Sequence, residues 1–287
     1  MSDAALALVM LASLGHAVWN ALSRAVTDHR DRFYTVVNAV AVVAFAPLAA
    51  DLALRTAVPA SALAWWGAST VLEVAYFVCL ARAYHAGSFL TAYPVARGSA
   101  PVLAALVGAA AFGQKLGVAG YLGVALVTAG VLSVNRPGMS LAGLRARLVG
   151  PGVGWALATG ACTALYSVTE AKGARVMSPV LFTYGLFVAI TLGKAAVDRL
   201  SPCREPYVAI LRAYPRQAVV AGVFMFAGAA LVITTLRTSD VAAVVAVRQL
   251  SIVFAAGIGA LWLGERLTAA RAASIALIVA GVLLVRG

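Results

Sequence analysis

The sequence predicts an all-α integral membrane protein of ten transmembrane helices, arranged as an inverted repeat of two five-helix units. Three observations carry this. Of 287 residues 63% are hydrophobic and only 11% charged, with a mean hydropathy of +0.95, a balance far from that of soluble domains. Ten apolar runs are each about 20 residues long, enough to cross a hydrocarbon layer of about 30 Å. The second half of the chain repeats the first at a fixed offset.

The runs fall at 4–26, 33–54, 62–84, 88–112, 117–134, 152–173, 179–199, 217–237, 240–263 and 267–285. Long Ala/Leu/Val-rich stretches without ten-residue alternation favour helices over a membrane barrel. The first run follows MSDA, which lacks a basic leader, and it carries His16, Trp19 and Asn20, so it is read as a retained helix. The second lies between a charged stretch at 28–32 and Arg55, and the third follows Pro59 and holds Glu73 and Tyr76. The fourth contains Arg97 between Pro94 and Pro101, and the fifth is rich in glycine. The sixth carries Tyr166 and Glu170, the seventh opens on Pro179, the eighth ends on Arg237, the ninth holds Arg248 and Gln249, and the tenth is the last of the set. The most polar connections, 135–151 and 200–216, set the boundaries: residues 1–135 form the first unit, 136–151 a linker and 152–287 the second unit.

A shift of 151 lays Gly113-Gln114-Lys115-Leu116 on Gly264-Glu265-Arg266-Leu267 and Ala129-Gly130-Val131-Leu132 on Ala280-Gly281-Val282-Leu283, with 10 identities in 22 positions. The same shift carries Arg97 onto Arg248. A shift of 147 lays Ala17-Val18-Trp19-Asn20 on Ala164-Leu165-Tyr166-Ser167. Five is odd, so the second unit enters the membrane from the opposite face, and the two share a site near the midplane. Gly117, Gly120, Gly123, Gly130, Gly257, Gly259 and Gly281 suit close helix contact, where lipid supplies no hydrophobic drive.

The formal charge of +12 resides in short connections, as expected beside an anionic membrane surface and not for nucleic-acid binding. With a cytoplasmic amino terminus, six bases fall on its side and fourteen on the other, so the positive-inside rule places both termini outside. Cys79, Cys162 and Cys203 imply neither a disulfide framework nor a zinc site, and no cofactor is expected. Loops too short for a nucleotide-binding domain and the lack of a Walker motif argue against ATP hydrolysis.

The candidate site gathers Trp19, Asn20, Glu73, Tyr76, Tyr93, Arg97, Tyr166, Arg248 and Gln249. Arg97 lies roughly 14 Å and Arg248 roughly 12 Å into their helices, too deep for easy escape to the interface. Each would hold a substrate carboxylate or phosphonate. Pro94 and Pro101 remove backbone donors beside Arg97, which predicts a broken or kinked helix there. Glu73 stands as the one mid-span carboxylate, with a depth within about 3 Å of that of Arg97. Two readings of it stay open: a permanent ion pair with Arg97, or a group that holds an ammonium or titrates as the coupling-proton site. Trp19, Tyr76, Tyr93 and Tyr166 would form an aromatic box, with Asn20 and Gln249 as hydrogen-bond partners. His16 reads as a bonded packing histidine and Glu170 as an interfacial residue near the end of its run.

The segment 101–134, PVLAALVGAAAFGQKLGVAGYLGVALVTAGVLSV, and its counterpart at 257–285 resemble the repeat of the EamA family of the drug/metabolite transporter superfamily. The resemblance spans nearly the whole chain. It implies a ten-helix inner-membrane carrier working by alternating access, exporting or exchanging small metabolites, with both termini in the cytoplasm, against the charge count. Gln114 stands where the family often has Glu, and Ile252 where Pro101 stands in the first unit. His16-Ala17-Val18-Trp19-Asn20 is similar to a subgroup with members associated with phosphonate use.

The expected function is therefore secondary transport of a small zwitterionic or anionic organic metabolite, such as an amino acid, in a bacterial inner membrane. Protons are a candidate coupling ion, and the chain is a monomer or homodimer in the lipid bilayer. Broad drug efflux is the alternative within transport. A membrane-embedded enzyme on lipid-linked substrates is the alternative outside it, disfavoured because neither an HExxH nor a pair of membrane carboxylates is seen. A receptor or channel is disfavoured by the lack of a mid-span lysine and of filter-like loops.

Overall fold

The computed structural model describes residues 1–23, 26, 30–87, 89–134, 149–199, 204–262 and 267–286. Helices α1 (Asp3–Ser23), α2 (Arg30–Arg55), α3 (Ala60–Ala86), α4 (Phe89–Phe112) and α5 (Val118–Ser133) make up the first part. They are followed by α6 (Val153–Val176), α7 (Pro179–Val197), α8 (Tyr207–Ala213) and α9 (Pro215–Leu236). The last three are α10 (Val241–Val247), α11 (Leu250–Trp262) and α12 (Ala269–Arg286). Helix starts follow local chemistry: the Ser2 hydroxyl accepts from the Ala5 N–H at 3.2 Å, and Pro179 and Pro215 occupy first-turn positions where no donor is lost.

Among the described residues, eight helical stretches are long and apolar enough to cross a membrane, and α5 is a shorter apolar helix. They are α1, α2 from Arg32, α3, α4 from Ala92, α7, α9, Val241–Leu261 and α12. Helix α6 has 24 residues but carries Glu170, Lys172 and Arg175. Outward side chains such as Leu54 (90% exposed), Leu261 (85%) and Val118 (78%) make sense against acyl chains and not against water.

Two expectations change. The run 240–263 is divided into α10 and α11 at Arg248-Gln249, and the connection 200–216 contains the short helix α8. Residues 135–148, Cys203 and 263–266, which include most of the linker and the Gly264-Glu265-Arg266 segment, lie outside the described residues.

Helix α3 packs on α6, as does α4; α1 packs on α9 and α11, α2 on α7, and α5 on α12. The α5–α12 crossing is backbone on backbone. A Cβ on Gly123 would meet the Gly281 carbonyl at 2.5 Å, one on Gly281 the Gly123 carbonyl at 2.6 Å, and one on Gly130 the Ser274 carbonyl at 2.7 Å. These glycines serve close approach as expected. Gly117 and Gly257 do not, having nothing within 4 Å, and Gly120 meets only Leu116 of its own segment.

A polar knot ties α2, α7 and α8 together at one end. Asp198, 2% exposed, accepts at Oδ2 from the Thr35 hydroxyl at 2.6 Å and the Tyr207 hydroxyl at 3.1 Å. The Arg32 guanidinium donates to the carbonyls of Glu205 at 2.7 Å and Asp198 at 3.1 Å, and lies 5.2 Å from the Tyr207 ring centre. Burial and the adjacent Asp198 carboxylate push the Tyr207 phenol above the ordinary tyrosine range. A raised phenol keeps its bond to Asp198 at every pH below its unfolded value of about 10 and loses it as pH rises through the higher folded value. Tyrosinate absorbance should therefore show a late-titrating component that Tyr207→Phe removes and Asp198→Asn moves earlier.

Candidate functional site

Arg97 sits on α4, which runs helical through both Pro94 and Pro101. The interruption lies instead at its counterpart, Arg248. There the backbone changes to i→i+3 hydrogen bonds, Gln249 N–H to Ala246 at 3.0 Å, Ser251 N–H to Arg248 at 3.1 Å and Ile252 N–H to Gln249 at 2.9 Å. A stretch without proline or glycine gave no sign of this break. The Ser13 hydroxyl of α1 donates to the Arg248 carbonyl at 3.5 Å.

The Arg97 guanidinium is anchored from three helices. It donates to the Tyr93 hydroxyl at 3.2 Å, His16 Nε2 at 2.8 Å and the Ser251 hydroxyl at 3.4 Å, and its carbon lies 5.6 Å from the Tyr93 ring centre. Guanidinium has donors only, so His16 Nε2 must accept and the imidazole proton sits on Nδ1. His16 is thus bonded, and it brings α1 to the arginine.

Glu73 is not paired with Arg97. Its side chain lies against that of Glu170, and the cation whose charge acts on both is Arg248. Glu170, 4% exposed, is interior and not interfacial, so α3 and α6 do supply a paired carboxyl group within the membrane region. Helix α6 runs past the expected end of its span to Val176, which moves residue 170 inward. The signal was present in the sequence, because Tyr166 and Glu170 are four apart and share a face.

Tyr76 and Tyr166 meet edge to face across α3 and α6, with centroids 6.2 Å apart. Trp19 is displaced from that pair. Its ring contacts are His16 at 5.1 Å and Tyr34 at 6.0 Å, and it packs with the Phe33 cluster. The Asn20 amide donates back to the His16 carbonyl at 2.7 Å. Gln249, 2% exposed, donates to the Val245 carbonyl at 3.1 Å, and its buried Oε1 has no partner among the described residues. The structure thus brings Glu73, Tyr76, Tyr93, Arg97, Tyr166 and Arg248 into one region, adding His16, Glu170 and Ser251. Trp19 and Asn20 stand at its edge. A separate opening of about 360 Å³ near the α6–α7 turn, lined by Arg175, Ser178 and Arg237, contains none of these residues.

No hydrogen bond or ion pair engages the Arg248 guanidinium among the described residues, and the carboxyl pair stands near it. A cation so placed, with five donors free, can take a carboxylate, phosphonate or phosphate.

Apolar outer faces around interior charged side chains define a multi-pass membrane protein with a polar interior. Residues 150–287 match the model of the EamA-like transporter family. The match covers the second of the two expected units and is a likeness to a family of membrane transporters. A solved crystal structure is similar to it with a TM-score of 0.71 and 20% identity, over 98% of this chain and 94% of that chain, which shows a shared fold. No curated protein matches the chain.

Proposed function

We propose that this protein is a secondary carrier for a small zwitterionic or anionic organic metabolite, such as an amino acid, exported or exchanged by alternating access across a bacterial inner membrane. The observation that supports the reading is Arg248, an interior guanidinium at a helix break, with no hydrogen bond or ion pair among the described residues and with the Glu73 and Glu170 carboxyl groups acting on it from α3 and α6. Arg97, its counterpart in the first half, is held by Tyr93, His16 and Ser251.

The carrier is read as ten spans in two inverted units, 1–135 and 152–287, with α10 and α11 as one broken span. Packing supports this. Exchanging α1 with α6, α3 with α9 and α4 with α10–α11 turns the α1–α9 contact into α6–α3 and the α4–α6 contact into α11–α1, while α2–α7 and α5–α12 map onto themselves. The shift of 151 likewise turns the Gly123–Gly281 approach into Ser274–Gly130. Asp3 and Arg286 form an ion pair and the Met1 ammonium donates to the Arg286 carbonyl at 3.2 Å, so the start of α1 and the end of α12 share one face, as an even number of crossings requires.

Counterflow into liposomes containing the purified protein tests the reading. A labelled amino acid or phosphonate should accumulate transiently when the same unlabelled solute is preloaded. Absence of exchange across a broad panel of such metabolites sinks it.

A further inference from the structure

Helices α3 and α6 lie face to face and antiparallel, and their contacts follow in register. The Ser69 hydroxyl meets the Thr169 hydroxyl at 2.6 Å, Glu73 meets Glu170, the Tyr76 ring meets Tyr166, and the Cys79 thiol meets that of Cys162. The Ser69–Thr169 and Tyr76–Tyr166 contacts hold Glu73 and Glu170 face to face, and because an ionised carboxylate has lone pairs only, the two can bond to each other only with a proton on one of them. The seam joins a helix from before residue 135 to one from after residue 149.

Resting on the carrier reading, we propose that Glu73 and Glu170 form the proton-binding site of the transport cycle, one proton held in an O–H···O bond that fastens α3 to α6. Loading gives one carboxylic acid and one carboxylate, with a net charge of minus one beside Arg248. Release sends that proton to water and leaves two carboxylates in contact. Like charges at that separation in a weakly screening interior repel, so the seam loosens until a proton returns. One proton is taken up and one released per cycle, and no other bond changes.

The surrounding groups fit this role. Helix α4 presents Tyr93 and Arg97, and the α10–α11 junction presents Arg248, whose charge acts on both carboxyl groups. Helix α7 brings Tyr184 and Lys194, the latter 5.9 Å from the Phe77 ring centre. Helix α9 has no titratable residue between Arg216 and Arg237, and α10 has none. Besides the thiols, the two helices carry Tyr76 and Tyr166, Lys172 over Trp65 at 5.2 Å, Arg175 over Phe112 at 4.3 Å and Arg82 over Trp155 at 4.7 Å, with Tyr84 and His85 at the far end of α3. Among the described residues the cation whose charge acts on both carboxyl groups is Arg248, which an anionic solute would occupy, so substrate and proton compete for one electrostatic site.

Infrared spectroscopy of the purified full chain tests this with the proton itself as probe. At neutral pH a protonated-carboxyl C=O band should be present and should vanish on raising the pH; it should be missing in Glu73→Gln and in Glu170→Gln. A glutamine amide donates to the remaining carboxylate, so both variants keep the helix contact. A band absent from the wild type, or retained in both variants, overturns the proposal. The native thiols give a second readout in a Cys203→Ser background. Oxidative cross-linking of Cys79 to Cys162, taken as the ratio to the same reaction in Glu170→Gln, should fall severalfold at alkaline pH, and a constant ratio overturns it. Neither readout uses a transported solute. A chain with the band but no counterflow sinks the carrier reading alone, whereas counterflow without the band sinks the proton site alone.

Discussion

Replacing Arg248 with alanine should reduce counterflow of an acidic-group solute about 10- to 100-fold in kcat/KM, the range set by about 1.5–3 kcal/mol for hydrogen bonds to a charged partner. The guanidinium touches no other side chain through a hydrogen bond or ion pair among the described residues, so its removal should leave the fold intact. Thermal unfolding of the variant in detergent should match that of the parent within a few degrees. Arg97→Ala should behave differently. Loss of its bonds to Tyr93, His16 and Ser251 removes a strut joining α1, α4 and α11, so both stability and exchange should decline together. Parental exchange kinetics in Arg248→Ala would end the case for anion recognition there.

The second large effect is mechanical. Gly281→Leu should cost about 3 kcal/mol or more, because the new side chain would drive into the Gly123 carbonyl and the backbone of Val127, which cannot yield as a flexible side chain can. Gly257→Ala is the matched control, with open space around its α-carbon and no expected penalty. Denaturant titration of both variants reads the contrast. Equal stability of the two would mean that the α5–α12 crossing tolerates separation.

Much of the fold was legible in the sequence because membrane helices are specified by length and apolar composition, and both are counted directly from residues. Runs ending at 54, 112 and 237 meet helices ending at Arg55, Phe112 and Leu236. The break at Arg248-Gln249 was hidden. It arises without proline or glycine, in a segment where every residue of Val241–Val247 is buried, so tertiary packing and not local preference sets it. Within the candidate site, depth along the helices placed Glu73 and Arg97 at one level, but depth says nothing about rotation around a helix axis. Rotation directs Glu73 toward α6 and Glu170. Hydropathy fades near Glu170, so the sequence alone places it at an interface, whereas α6 continues to Val176 and keeps it inside. The glycines show the same limit: composition found seven, yet only a partner helix decides which of them touch backbone, as Gly123, Gly130 and Gly281 do.

The two residues between α10 and α11 act as a joint in what would otherwise be a single rod. A continuous rod pinned at one end can only tilt as a whole; a jointed one lets one arm swing while the other stays fixed. Here every residue of α10 is buried, whereas α11 presents Leu261 outward with 85% of its surface free, so any bending at this joint should move α11 and leave α10 in place. Ser251 lies on α11 and bonds the Arg97 guanidinium, while Arg248 stands at the joint itself, so bending there should be felt at both arginines.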